Sequence, residues 1–391
     1  MKRDFVNAFV VAAALLVLPL PARSAGKDSP WEWDASITLD ALRSSRPRGH
    51  FGLVHLDAGA TVDAEKLFGW TGIKLGTEVM VDMGSKPNVV IASLQGVNNI
   101  EVTQSAARLY TLWAEGDMAP GWRLRVGLYD LNSEFYVTDA SDQLAHPVFG
   151  VGAELAQTGL NGPSIFPNTA FGVRIKGQSD SGHYAQLAVL DGVPGDPVHP
   201  GRTVVRLSRG DGALVAGEVG WQQDGNATPD HVGMGAWGYT QPVARLDGRG
   251  EAHSMGIYAV AQSLLIDQPH GRATGFVRAG LTDGRLSAID VAVNAGVLID
   301  RPLGRMGPAS IAAGVAVARL GADYRAQQFA AGIGLARFEQ AFEFSARWQP
   351  WPALAVQPLL MHIRNTGGRP GDNVTLLGIR FVLAVDSNAA P

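Results

Sequence analysis

Arg123 and Arg125 stand two residues apart in the run Trp122 to Phe135, WRLRVGLYDLNSEF. In an extended segment that spacing puts both guanidinium groups on one face, together with Gly127 and Tyr129. Trp122, Leu124, Val126 and Leu128 occupy the other face. Glu115 lies just upstream, and Asp130, Asn132 and Glu134 follow. The cations are donors, the carboxylates and the amide are acceptors, and Tyr129 and Phe135 are flat rings. Such groups can replace water around a small polar solute while binding it weakly enough to release it. An equally weighted reading is that Asp130 to Glu134 lock a loop onto a wall and never touch solute.

Other chemistry finds little support. The chain has no cysteine, hence no disulfide, thiolate or Cys-ligated metal, and its nine histidines are scattered. His55, His183 and His253 fit strand positions better than a metal site. There is no His-Glu-x-x-His, Gly-x-Ser-x-Gly or Walker loop. Asp130 and Glu134 could imitate a glycosidase pair, but spacing in sequence does not give their separation. The expectation is a protein that is not an enzyme and carries no metal. A net charge of -4 without a basic block argues against a nucleic-acid partner.

A strand with one apolar and one cationic face has two solvents to satisfy. In a soluble sandwich these are a protein core and bulk water; in a membrane barrel they are lipid and a wet lumen. Met1-Lys2-Arg3, the apolar run Phe5 to Leu20 and the small residues before Ser24 read as a signal peptide cleaved after Ser24. The barrel domain is then residues 25–391. Charged residues are only 17% and glycines number 48, a composition low in charge and rich in turns and close approaches. No linker divides the chain.

Alternating segments of roughly ten residues, the length of a tilted membrane strand, recur at 33–43, 51–61, 70–82, 103–115, 121–129, 170–177, 181–192, 212–222, 230–240, 252–262, 272–283, 287–299, 309–320, 338–349, 353–363 and 373–385. The fold class is therefore all-β: a single transmembrane antiparallel barrel of about sixteen strands, an even number. With a periplasmic N-terminus, the long connections 83–102, 130–169 and 193–211 face outward and the tight turns 116–120, 178–180 and 350–352 face the periplasm. The forty-residue connection after Tyr129 is expected to fold into the lumen and narrow it. Charges fall opposite the apolar rows: Lys74 and Glu78; Arg174 and Lys176; Glu218; Arg278; Asp290; Glu343 and Arg347; Arg380. All are expected to line the lumen. Ile289 is expected to face lipid with Val291, Val293 and Val297. Segment 103–115 is less clean, with Leu109 and Trp113 on the face of Glu115. Trp70, Trp122, Trp221, Trp237, Trp348 and Trp351 lie near segment ends, as interfacial girdles require.

Arg108-Leu109-Tyr110 with Leu112 to Glu115, then Leu124 to Gly127, Asp130 to Phe135 and Gly162 to Pro167, resemble the carbohydrate-selective porin family of Gram-negative outer membranes. Gly217 to Trp221, Phe276 to Gly280, Asp283 to Arg285 and Gln357-Pro358 continue the resemblance in order over roughly 95 to 385. It implies a sixteen-stranded outer-membrane channel passing monosaccharides and related small sugars by facilitated diffusion, with no cofactor, in contact with outer-membrane lipids and assembly machinery. Two departures stand out. The chain ends Val385 to Pro391 without a terminal aromatic, Phe381 lying within the strand, and Leu128 stands where the family often has Lys. A general or other-solute-selective diffusion porin on the same barrel and a secreted soluble carbohydrate-binding β-protein are the alternatives. A homotrimer and a monomer are both open.

Overall fold

A computed structural model describes residues 29–223, 230–268 and 270–387; the signal-peptide expectation lies outside them. Sixteen strands run β1 Trp31–Ser45, β2 Arg48–Asp63, β3 Ile73–Gly84, β4 Ala106–Ala119, β5 Trp122–Tyr129, β6 Ala170–Gln178, β7 His183–Asp191, β8 Ala213–Gln222, β9 His231–Ala244, β10 Glu251–Gln268, β11 Gly271–Thr282, β12 Ile289–Pro302, β13 Pro308–Leu320, β14 Phe338–Trp351, β15 Leu354–Arg364 and β16 Val374–Asp386. Each pairs antiparallel with its chain neighbours, and β1 pairs β16 with Leu39 opposite Phe381, so the sheet closes. Closure leaves no edge, which is the condition for a sheet to sit in hydrocarbon where water cannot satisfy a free N–H or C=O. Among the described residues no helix is long and apolar enough to cross a membrane.

The two-residue period explains why these segments are strands. Outward rows such as Val232, Met234, Val219, Ile257, Phe344 and Leu377 are exposed; inward positions carry the charges. A Lys or Arg facing lipid at mid-depth would cost about 2–4 kcal/mol. Connections 85–105, 130–169, 192–212 and 321–337 all leave one end of the barrel, while turns as short as 120–121 and 352–353 close the other. Long loops mark the extracellular end.

Three expectations about faces are corrected. A bulge at Tyr110 pairs Glu78 with Thr111 but Val79 with Leu109. Leu109 thus joins the lipid face beside Val79, and Trp113 alone shares the lumen face with Glu115. A second bulge separates Ile289 from Val291. Ile289 is fully buried in a cluster inside the barrel with Ala318 and Leu320. Asp290 instead ion-pairs with Arg319 at 2.8 Å, and Arg319 alternates with those inward residues. Asp290 is therefore on the outer face near the extracellular rim and does not line the lumen. Trp237 is also not a girdle residue: it is 3% exposed inside the barrel, edge-on to Tyr239. Trp31, Trp33, Trp70, Trp122, Trp221, Trp348 and Trp351 all sit at the short-turn end, a girdle on one side only.

The lumen is largely filled. Residues of loop 130–169 enter two apolar clusters. In one, Leu144, Val148 and Phe149 pack on wall residues of β11 to β16; in the other, Phe135, Tyr136 and Leu155 pack on β7 to β10. Ile91, Val97 and Ile100 of loop 85–105 join the first.

Candidate functional site in the lumen

Loop 130–169 is pinned by the wall charges that the strand pattern turns inward. Glu218 on β8 accepts from the Tyr136 N–H at 2.9 Å, the Tyr258 hydroxyl at 2.7 Å and the Tyr184 hydroxyl at 2.9 Å. Arg278 on β11 donates to the Phe149 carbonyl and Thr138 Oγ1, both at 2.5 Å, and to Ser141 Oγ at 2.9 Å. Glu343 on β14 accepts the N–H groups of Ala145 and His146 at 2.8 Å each. These three groups are at most 3% exposed. All three hold atoms of loop 130–169, and Glu218 also accepts from the two wall tyrosines. Arg380 likewise grips Asp40 through two bonds of 2.7 Å and holds Asn99 of loop 85–105. Buried charges without such partners would be strongly unfavourable.

A second set of charges clusters where loop 130–169 leaves the wall. Arg174 on β6 donates to Glu115 Oε2 at 2.5 Å and reaches both oxygens of Glu134 at 2.7 Å. Arg125 donates from Nε to the same Glu115 oxygen at 3.0 Å and lies 3.9 Å from Glu134. Its guanidinium sits 4.1 Å from the centre of the Trp113 ring, a cation–π stack. Trp113 can lie flat there because Gly76 faces it: a Cβ would stand 2.2 Å from the indole. Burial alone would raise the Glu134 carboxyl, but Arg174 and then Arg125 outweigh it and hold it below the usual range.

The remaining expected residues separate by position. Arg123 and Lys176 face each other across β5 and β6 at the periplasmic mouth; Arg123, with a side chain 65% exposed, has only Asp117 at 3.6 Å. With Arg125, Arg174, Glu115 and Glu134 they line a cavity of about 800 Å3. Lys74 pairs with Glu115 across β3 and β4 at the same end, and Glu78 faces inward four residue pairs deeper. Arg347 faces inward on β14 with no bond to another described side chain.

Four expected contacts are engaged by the protein itself. Tyr129 and Phe135 are 2% exposed, the Tyr129 hydroxyl being spent on Glu134 at 2.5 Å. Asp130 accepts from the Tyr110 hydroxyl and the Asn132 N–H at 2.8 Å each. Burial lifts the Asp130 carboxyl to about 6 against those two donors. Asn132 donates to the Phe135 and Gly150 carbonyls at 3.2 Å. These residues brace the loop. Sequence reading put Trp113 on the face of Glu115 but missed it as the platform for Arg125, because a ring contact between β4 and β5 leaves no mark in the alternation. It also missed His55, whose ring bridges Asp82 at 2.7 Å and Asp57 at 3.4 Å on the lumen face of β2 and β3. Among the described residues no group of side chains is arranged to hold a metal ion.

The barrel fold is also found among known proteins. The high-pH structure of Pseudomonas putida OprB superposes with a TM-score of 0.77 over 91% of this chain and 94% of that one, at 16% identity. Its low-pH structure gives 0.56 over 91% and 92%, at 12% identity. An anion-selective porin from Comamonas acidovorans gives 0.53 over 91% and 98%, at 10% identity. These likenesses establish the sixteen-stranded porin fold. No curated protein matches the sequence. Residues 49–383, by contrast, match the family described as carbohydrate-selective porin, OprB family, and with the lumen geometry just described the conclusion is direct: this chain belongs to that family, the carbohydrate-selective porins of the outer membrane.

Proposed function

We propose that monosaccharides and related small sugars cross the lumen past Arg125, Glu115, Arg174 and Glu134, with Trp113 as the apolar wall of the path. One observation carries this reading. Arg125 is held by a ring on one side and a carboxylate on the other, at the edge of a cavity large enough for a single sugar and its water. A sugar needs hydroxyl partners of both polarities beside a surface for its C–H face, and rapid passage needs them fixed in advance but shared. Arg123, Lys176, Lys74, Glu78 and Arg347 tune the charge of the path on either side. The two faces of the barrel fit lipid outside and water inside, with delivery to the membrane by the assembly machinery after removal of residues 1–24.

Single-channel conductance with sugar titration tests the reading. Replacing Arg123 and Arg125 together by Ala should alter sugar flux in liposome swelling and weaken sugar block, with assembly intact. Unchanged flux and block would remove these arginines from the path. Equal swelling rates for sugars, amino acids and organic acids of similar size would defeat sugar selectivity itself. N-terminal sequencing of the mature chain reads the cleavage site.

A further inference from the structure

A second cavity, of about 380 Å3, lies at the extracellular end, away from the cluster around Arg125. Four connections meet there: the β1–β2 turn at Arg46, the helix Pro87–Ile91 with the residues after it, the helix Ala322–Ala330, and the β15–β16 connection 365–373. Thr366 is the informative residue. It is 4% exposed and lines the cavity, and among the described residues its Oγ1 has no hydrogen-bond partner. A buried hydroxyl left without a partner bears its full desolvation cost, so a site that keeps one has a use for it.

The surroundings say what would satisfy it. Arg46, Arg369, Tyr324, Gln328 and Asp372 line the same space, and none of their side chains bonds to another described residue. Beneath them Leu94 and Leu335 supply an apolar floor. The frame is preformed. Thr366 donates its N–H to the Asp372 carbonyl at 2.7 Å, Ala336 donates to the Gly368 carbonyl at 2.7 Å, and the Gly367 N–H is held by Glu339 of the wall at 2.6 Å. The volume is at the small end of the roughly 300–1,000 Å3 typical of ligand pockets, the scale of one sugar ring rather than an oligosaccharide. A lone phosphate would suit the two arginines but not the Asp372 carboxylate or the apolar floor. A polyol suits all of them, because each hydroxyl both donates and accepts while the ring face covers carbon.

We propose that this cavity is a capture site for a monosaccharide at the channel mouth, separate from the constriction. The proposal rests on the sugar-porin reading and adds a first binding step to it. The site holds a sugar briefly and raises its concentration where the lumen opens.

The test uses the full-length protein in a planar bilayer with D-glucose added to one side at a time. Tyr324→Ala combined with Arg369→Ala should lower the rate of sugar block from the long-loop side about fivefold, the worth of one or two hydrogen bonds. The rate from the short-turn side and the unblocked conductance should not change. Thr366→Val keeps the shape and removes the hydroxyl, and should give the same asymmetry at about threefold; it guards against a folding defect in the double variant. Arg125→Ala should instead shorten the block from both sides. Unaltered long-side rates in both mouth variants would overturn the capture site while leaving the porin reading intact. Block of the long-side rate by inorganic phosphate at concentrations where glucose has no effect would also overturn it, in favour of an anion site. A wild-type channel that no sugar blocks from either side would overturn both readings.

Discussion

Arg174 and Glu134 meet fork to fork, Nε to Oε2 and Nη2 to Oε1, each at 2.7 Å. One residue is on β6, the other on the loop that crosses the lumen. Their pairing sets where that loop leaves the wall, and Arg174, with a side chain 2% exposed, is the buried member. Arg174→Ala would remove the closest cation from two carboxylates. We expect about 3 kcal/mol of lost stability, read from urea unfolding in detergent, together with a larger single-channel conductance. A conductance equal to wild type would show that the pair does not set the width of the path.

Gly280 predicts a second route to the same loop. A Cβ at Gly280 would stand 1.8 Å from Glu154 Oε1 and 2.6 Å from the Tyr136 hydroxyl. Gly280→Ala should push the segment Ala153–Ala156 off the wall while leaving the β11 ladder unbroken. The measurement is limited proteolysis of the assembled barrel. We expect cleavage within 130–169 to become faster with no loss of the heat-modifiable barrel band. Wild-type resistance would mean the loop shifts without undocking.

The loop carboxyls predict a direction with pH. Burial raises Glu154 to about 7, against the opposing bond from the Tyr136 hydroxyl, and raises Asp142 to about 6. Burial likewise raises Glu101 in loop 85–105 to about 7, despite the Asn88 N–H. Their folded-state values lie above their unfolded ones. The folded protein therefore holds protons that the unfolded chain releases, and stability falls as pH rises. This contribution is full below pH of roughly 4 and lost by about pH 7. Glu134 has the opposite sign, since its arginine partners hold it low, and weakens the fold only under stronger acid. Melting temperatures should therefore decline from pH 5 to pH 8, and Glu154→Gln should flatten that slope. An unchanged slope in the variant would assign the effect to another group.

The stack of Arg125 on Trp113 predicts a division of labour between neighbouring arginines. Arg125→Ala should weaken sugar block about tenfold, as loss of a charged hydrogen bond and a ring contact implies. Arg123→Ala removes an exposed cation at the mouth and should shift ion selectivity toward cations with little change in block. Equal effects on block would show that the two arginines act as one site.

Strand number and order were legible because alternation is a local signal repeated sixteen times, and an apolar row facing lipid tolerates few interruptions. The failures came where one extra residue changes parity. Tyr110 turned Leu109 and Trp113 to opposite faces, and the bulge at Asp290 carried that carboxylate outside to Arg319. Side-chain alternation does not register a bulge. Glu218, Arg278 and Glu343 were placed inside from sequence, yet their roles as anchors were invisible. Each binds at least one main-chain group between Tyr136 and Phe149, distant in sequence and carrying no residue-specific mark. Phe135 and Tyr129 were misjudged for the same reason: exposure in a folded loop depends on what the loop lands on.

The filled lumen gives this protein two hydrophobic halves of different kinds, a shell that needs lipid and a kernel that needs only itself. Leu144, Val148 and Phe149 share one buried cluster with Ala312, Ala316 and Met361 on the inner side of the wall. The kernel holds its shape wherever the shell is solvated, in bilayer or in micelle. It also confines drift. A change in the kernel obliges a matching change on another strand, whereas Lys74, Arg123 and Lys176 at the open mouth can change singly. Over evolutionary time, charge preference is free to wander there while the inner scaffold stays still.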